Sequence, residues 1–306
     1  MAKPNLLLCF DAFGTLFRPK RPVVQQYGEI ARQCGIGGFN DAQLQSSFRA
    51  AFKDEMKQNP NYGRSSGLGA TKWWTNVIGK TFRPLVSNDQ PLPSELVPRL
   101  LHRFSSSDGY AAEPDLTSSL QALKHNPHYG KVMIGVITNS DDRVPDILSS
   151  FGVHVSTLRH GGYDGTGALV PRTQLCREDF DIDFHCMSYD VGVEKPDRAI
   201  FASAESLAAQ IISARDDGLV AQAEAKVQHW HKVYVGDEYA KDVEGALQAG
   251  WNPIFLETDE VAANIASLTD YPSQPFDPEL SRIFHDQKVV KVQSIQGLAN
   301  WLSGRS

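Results

Sequence analysis

The feature that most limits how this chain can fold is an apolar run that stops at an acid. Leu6, Leu7, Leu8, Cys9 and Phe10 are followed at once by Asp11, then by Ala12, Phe13, Gly14, Thr15 and Leu16. A run this short and this apolar reads as a strand buried on both faces, as in a parallel sheet. Such a strand carries its last polar residue to the carboxyl edge of the sheet, where open α/β sheets bind ligands. Gly14 lets the chain bend sharply beyond it. Taken alone, Asp11 fits a turn cap as well as a functional carboxylate. The other strand ends discriminate between the two.

The 306 residues are enough for one large or two ordinary domains, and 41% apolar content supports cores without staples. A net charge of −6 argues against a nucleic-acid surface. Cys9, Cys34, Cys176 and Cys186 form no CxxC pair and read as thiols of a reducing compartment. The N-terminal run is too short for a signal peptide, and no stretch reaches the ~18 apolar residues of a membrane helix. The expectation is a cytoplasmic protein, with the nucleus left open, that partners neither nucleic acid nor membrane.

After Thr15 the basic, proline-punctuated stretch FRPKRP leaves the strand. Helices are predicted over Val23–Cys34, Asp41–Lys57, Thr71–Phe82 and Ser94–Phe104. In the second of these Leu44, Phe48, Ala51, Phe52 and Met56 recur at spacings of three and four. No strand signal interrupts 20–105, so a helical cap domain is predicted at 18–110. It is inserted into an α/β core made of 1–17 and 111–306. Within that core, helices at Thr117–Lys124, Val144–Phe151, Pro196–Ile212 and Ala240–Ala249 alternate with strands at Lys131–Ile137, Phe184–Tyr189, Lys232–Gly236 and Pro253–Leu256. That alternation predicts an α/β, doubly wound parallel sheet. One more strand, Val289–Val292, and a final helix are expected. Arg159–Asp181 and Ser213–Gln228 are polar and read as mobile surface insertions. There is no internal repeat.

Three predicted strands end in polar residues at one edge. They are Asp11-x-x-Gly14-Thr15, Thr138-Asn139-Ser140 and Gly236-Asp237-x4-Asp242, and Lys195 enters from the loop beyond the third strand. The set makes chemical sense together. A carboxylate attacks phosphorus or carbon and forms a covalent aspartyl intermediate. Thr138 and the amides that open the following helix hold an anion. Lys195 offsets negative charge. Asp11 and Asp237 offer hard oxygens to Mg²⁺.

In their order across residues 8–250, these motifs resemble the haloacid dehalogenase superfamily of hydrolases. The resemblance implies a Rossmann-like core, with Asp11 as nucleophile, Thr138 as a phosphate ligand and Lys195 as the catalytic lysine. It further implies Thr15, Asn139 and Ser140 at the substrate. Asp11, Asp237 and the backbone carbonyl of Phe13 are implied at the metal, with Glu238 and Asp242 behind them. The inserted helices resemble a type 1 cap. Within them PNYGRSSGLGATKWW resembles the subgroup called haloacid dehalogenase-like hydrolase domain-containing protein 3, a resemblance that carries no substrate.

One position departs from the pattern. Phosphatases of that superfamily carry DxDxT, whose second Asp protonates the leaving oxygen, whereas this chain has Phe13 there. The Asp-x-aromatic-Gly-Thr pattern is like that of the 2-haloacid dehalogenases, where halide leaves without a proton. GDEYAKD, by contrast, is like the metal-binding enzymes. The expectation is therefore a Mg²⁺-dependent phosphatase on a small anionic metabolite with an atypical leaving-group step. The alternatives are a C–halogen hydrolase and a non-catalytic binding protein of the same fold.

Three other signals point elsewhere only weakly. Gly63-x3-Gly67-x-Gly69 follows a helix rather than a strand and lacks the Lys-Ser/Thr of a phosphate loop. His229-Trp230-His231 alternates like a metal ligand pair but has no third ligand nearby in sequence. Arg18 and Arg21 read either as contacts for an anionic substrate or as solvated surface.

Overall fold

The structure is a computed structural model, and it describes residues 3–87, 90–257, 264–271, 283–284 and 288–304. In chain order β1 (Leu6–Phe10) and β2 (Phe17–Pro19) precede four helices, α1 (Val23–Gln33), α2 (Asp41–Gln58), α3 (Ala70–Phe82) and α4 (Leu96–Arg103). Then come β3 (Tyr110–Ala112), α5 (Leu116–Lys124), β4 (Val132–Thr138), α6 (Val144–Ser150), α7 (Arg172–Leu175), β5 (Phe184–Met187) and α8 (Ser188–Val191). The long α9 (Arg198–Arg215) and α10 (Val220–Val227) lead to β6 (His231–Gly236), α11 (Glu244–Gln248), β7 (Asn252–Leu256), β8 (Val290–Val292) and α12 (Ile295–Leu302).

Six strands form one parallel sheet in the order β5-β4-β1-β6-β7-β8. β1 lies at its centre, pairing Leu6–Phe10 with Val132–Val136 on one side and with His231–Val235 on the other. The chain builds outward from β1 to β4 and β5, then returns to add β6, β7 and β8. The strand order therefore reverses beside β1, and such a switch point opens a crevice at the carboxyl ends. All five β1 residues are buried, which explains why the sequence there is apolar without alternation. One face of the sheet, with Leu7, Cys9, Met133 and Phe184, packs on Ile200, Ala204 and Leu207 of α9. This is the predicted doubly wound architecture.

The chain divides into two compact units. One comprises Met1–Arg18, Ala112–Ser140 and Phe151–Ser306; the other comprises Pro19–Ala111 and Asp141–Ser150. The second is helical. Asn40 opens α2 with a capping box to Gln43. Trp73 is fully buried, with Nε1 donating to Asn59 O at 2.9 Å, and its ring meets Phe52, Tyr62 and Trp74 edge-on. Trp74 Nε1 donates to Asp141 Oδ2 at 2.7 Å, and Arg143 pairs with Asp141 while stacking 4.3 Å from the Trp74 ring. The segment after β4, placed with the α/β core from sequence, therefore packs in the helical unit.

Several expectations change. β2 and β3 pair as a separate two-stranded sheet that the sequence pattern did not announce. Both stretches expected as mobile insertions carry regular structure. In the first, Tyr163 and Leu169 form a bridge, α7 follows, and Val170 and Phe180 are buried. In the second, α9 runs on to Arg215, and α10 turns Ala223 and Val227 into the core. Pro196 precedes α9 rather than opening it; Asp197 is the N-cap, its side chain accepting from Ala199 N–H. The helix expected at Ala240–Ala249 begins as a π turn, Tyr239–Val243, before α11. β8 matches the predicted last strand. No described helix is long and apolar enough to cross a membrane.

Candidate active site

Asp11 leaves the central strand with its own N–H still donating to Val235 O at 2.8 Å, and it is 6% exposed. The chain then turns tightly. Gly14 N–H donates to Phe17 O at 2.9 Å, and the N–H groups of Leu16 and Phe17 donate to Ala12 O at 2.9 and 3.1 Å. Gly14 has φ +85°, and a Cβ there would fall 2.1–2.6 Å from the Asp237 carboxylate. Gly236, the last residue of β6, is as tightly covered, since a Cβ would lie 2.3 Å from the Asp242 carboxyl group. These two glycines let two carboxylates lie against bare backbone.

Lys195 is the hub. Its Nζ lies 2.7 Å from Asp242 Oδ1, 2.8 Å from Asp11 Oδ1 and 2.7 Å from Tyr234 Oη. Tyr234 Oη donates to Ile137 O at 2.7 Å and therefore accepts from the ammonium. Asp242 Oδ2 accepts from Glu238 N–H at 2.9 Å. The Asn139 amide clasps the Lys195 backbone, with Oδ1 accepting from Lys195 N–H at 2.7 Å and Nδ2 donating to Lys195 O at 3.0 Å. Across the cluster, Thr15 Oγ1 donates to Asp237 Oδ1 at 2.9 Å.

Burial works against the Lys195 charge, but Asp11 and Asp242 more than offset it and hold the ammonium above its ordinary range. Burial pushes the Asp242 carboxyl above its ordinary range, with Lys195 opposing and Asp11 adding to the shift. Burial also raises Asp237, against the hydrogen bond from Thr15. Tyr234 is pushed well up, first by burial and then by Asp242 and Asp11.

Asp11, Asp237 and Asp242 each present an oxygen within 4.8 Å of the others, the one such group among the described residues. Three carboxylates and one ammonium leave two negative charges in a largely buried cluster. Asp11 Oδ1 is close to Lys195 Nζ but outside hydrogen-bond geometry, so this buried oxygen has no hydrogen-bond donor. Surplus charge, hard oxygens and an unclaimed lone pair fit a small divalent cation. Asp242 does not suit the ligand role, because Lys195 and Glu238 N–H already occupy both its oxygens.

The structure thus brings together Asp11, Lys195, Asp237 and Asp242, with Thr138 buried at the end of β4. Ser140 is buried, its carbonyl accepting from Tyr189 N–H at 3.1 Å. Thr15 and Asn139, expected at the substrate, have protein partners. Their side chains bond to Asp237 and to the Lys195 backbone, which lie beside them. The Glu238 side chain turns away, pairing with Lys241 at 2.7 Å and 55% exposed. Phe13 sets its ring edge-on to Phe17, with centroids 4.8 Å apart. Arg18 and Arg21 are taken by Glu113 and Glu29. His229-Trp230-His231 joins no metal-type cluster among the described residues, and Trp230 packs in the core. Tyr234 was missed from sequence, where it sits inside the strand run KVYVG and reads as core.

A central-strand carboxylate, a buried lysine and a strand-end acid pair thus meet in one acidic cluster on a doubly wound α/β sheet. The chain belongs to the haloacid dehalogenase-like hydrolases, whose family model matches residues 6–250. It is 30% identical over 251 residues to an uncharacterized hydrolase of Schizosaccharomyces pombe, a match covering 82% of this chain and 90% of the relative. It is 27% identical to mouse (Mus musculus) haloacid dehalogenase-like hydrolase domain-containing protein 3, over 94% of this chain and 96% of that one. Among solved structures it is similar to a defluorinating L-2-haloacid dehalogenase, at 14% identity and TM-score 0.54, covering 99% of this chain and 98% of that one. At that identity the structural likeness concerns the fold alone.

Proposed function

We propose that this chain is a Mg²⁺-dependent phosphohydrolase acting on a small, anionic phosphorylated metabolite in a reducing compartment, with Asp11 as its covalent nucleophile. The observation that carries the reading is the surplus of two negative charges around Asp11, with one buried Asp11 oxygen lacking a hydrogen-bond donor. Asp11, Asp237 and the Phe13 carbonyl would hold the cation, which would supply charge stabilisation to the phosphoryl oxygens. Lys195 orients Asp11 and offsets negative charge at the reacting centre. Thr138 and the backbone amides beyond it receive the phosphoryl oxygens. Asn139 and Asp242 keep Lys195 in place. The helical unit is the type 1 cap.

The test is hydrolysis of p-nitrophenyl phosphate by the purified chain with Mg²⁺. EDTA abolishes it, and Asp11→Asn lowers kcat on the order of 10⁶-fold, the scale for removing a covalent nucleophile. Retained activity in Asp11→Asn sinks the covalent mechanism. Phe13 favours a second reading, C–halogen hydrolysis, because halide needs no proton donor. Metal-independent halide release from 2-chloropropionate would establish that reading in place of the first.

A further inference from the structure

We propose that the site takes phosphoryl donors whose leaving group departs as a stable anion, namely acyl phosphates and phosphoanhydrides, rather than alkyl phosphomonoesters. This rests on the phosphohydrolase reading above and concerns the fate of the leaving oxygen.

The argument is an inventory of protons. Lys195 donates to Asp242 and Tyr234, and its ammonium is held beside the Asp11 carboxylate in an ion pair at 2.8 Å. The Tyr234 hydroxyl proton goes to Ile137 O, and the Thr15 hydroxyl proton goes to Asp237 Oδ1. Asp242 is engaged at both oxygens as an acceptor. The Glu238 carboxylate faces solvent in an ion pair with Lys241. Thr138 and Ser140 add only hydroxyls, which are no stronger acids than the alcohol they would have to protonate. Two residues past the nucleophile stands a phenyl ring, held against Phe17 by the turn over residues 12–17. Within this unit, the described residues around Asp11 therefore offer no free acidic proton for a departing alkoxide.

A carboxylate or phosphate leaving group needs none. In the first step Asp11 Oδ attacks phosphorus, the bond from phosphorus to the leaving oxygen breaks, and its electron pair leaves with a carboxylate or phosphate anion. In the second, water attacks the aspartyl phosphate. The P–O bond to Asp11 breaks, the Asp11 carboxylate is regenerated, and both water hydrogens depart on dihydrogen phosphate.

The experiment compares kcat/KM of the wild-type chain with Mg²⁺ on acetyl phosphate, inorganic pyrophosphate, p-nitrophenyl phosphate and ethyl phosphate. Acetyl phosphate or pyrophosphate is expected to exceed ethyl phosphate by more than ~10²-fold, the lower range of general-acid assistance. The ratio of the first two tells which class the site prefers. Phe13→Asp raises the ethyl-to-acetyl ratio by ~10²-fold or more, whereas Phe13→Leu keeps it near wild type. Ethyl phosphate within about tenfold of acetyl phosphate in the wild type overturns the proposal, because a proton donor is then present. If no member turns over and acid quench traps no phosphoenzyme, the phosphohydrolase reading itself is overturned. The wild-type series decides the matter even where a Phe13 variant does not fold.

Discussion

The two sides of the acidic cluster are built differently. On the Lys195 side the polar atoms are matched to one another. The ammonium donates to two acceptors, Asp242 and Tyr234, Asp242 accepts at both oxygens, the Tyr234 hydroxyl both accepts and donates, and Asn139 holds the lysine backbone at two points. On the Asp237 side matching stops. Asp237 has one side-chain donor, Thr15, its charge is disfavoured by burial, and Asp11 Oδ1 between the two sides has no hydrogen-bond donor. A saturated network rigidifies, while unsatisfied buried charge is costly unless something arrives to meet it. The lysine side is matched as a scaffold would be, and the proposed function puts metal and substrate on the Asp237 side.

The largest effect separating the two sides is expected from Lys195→Met. It leaves Asp11 and Asp242 buried without their cation and breaks a buried ion pair from one end, which costs about 3–5 kcal/mol. Urea denaturation should show a lower midpoint. An unchanged midpoint would mean that the lysine side is no scaffold. Next in size is the response of the wild type to Mg²⁺. A ligand at 100 times its Kd stabilises by about 2.7 kcal/mol, so the Tm rises when Mg²⁺ is added and falls back with EDTA. Proton and cation compete for the same carboxylates, so the shift shrinks as pH falls.

The scaffold side was harder to read from sequence than the reactive side. Asp11, Thr138, Lys195 and Asp237 were legible because each follows an apolar strand or its loop, and strand ends of a parallel sheet share one edge. Tyr234 was not, since its ring is core and only its hydroxyl reaches the acidic cluster. The protein partners of Asn139 and Thr15 were not legible, because a short polar side chain reaches whatever the neighbouring loop supplies, and spacing does not reveal that. In the fold, β1, β4, β6 and β7 were plain as apolar runs. β2 and β3 are three residues each, and Arg18 and Pro19 of β2 are exposed, so no pattern develops. The Ser213–Gln228 stretch looked polar, yet Ala223 and Val227, four apart, are enough to seat a short helix. Asp141 and Arg143 join the helical unit through Trp74, a contact that no local pattern encodes.

Tyr234→Phe tests the scaffold at one atom. It removes an acceptor from Lys195 and a donor from Ile137 O, at a cost of about 1–3 kcal/mol if those groups stay unsatisfied. Because the hydroxyl holds the lysine rather than the substrate, kcat on an activated phosphate should fall while KM moves little. A change confined to KM would place the hydroxyl at the substrate instead.

The smallest expected effect has the opposite sign and is the sharpest separation of the two sides. The Asp237 carboxyl is raised by burial, so its ionised form is disfavoured in the metal-free fold. A carboxyl raised on folding binds more proton in the folded than in the unfolded state. Its contribution to stability is therefore lost as pH rises from the unfolded value, near ~3.9, through the raised folded value. At neutral pH without metal, ionised Asp237 is a burden, and Asp237→Asn removes the charge while keeping an acceptor for Thr15. The metal-free variant should melt ~1 °C higher than wild type, a sub-kilocalorie change in a chain this size. It should also lose the Mg²⁺-dependent rise in Tm. A variant that melts lower without metal would make Asp237 part of the scaffold and erase the distinction between the two sides.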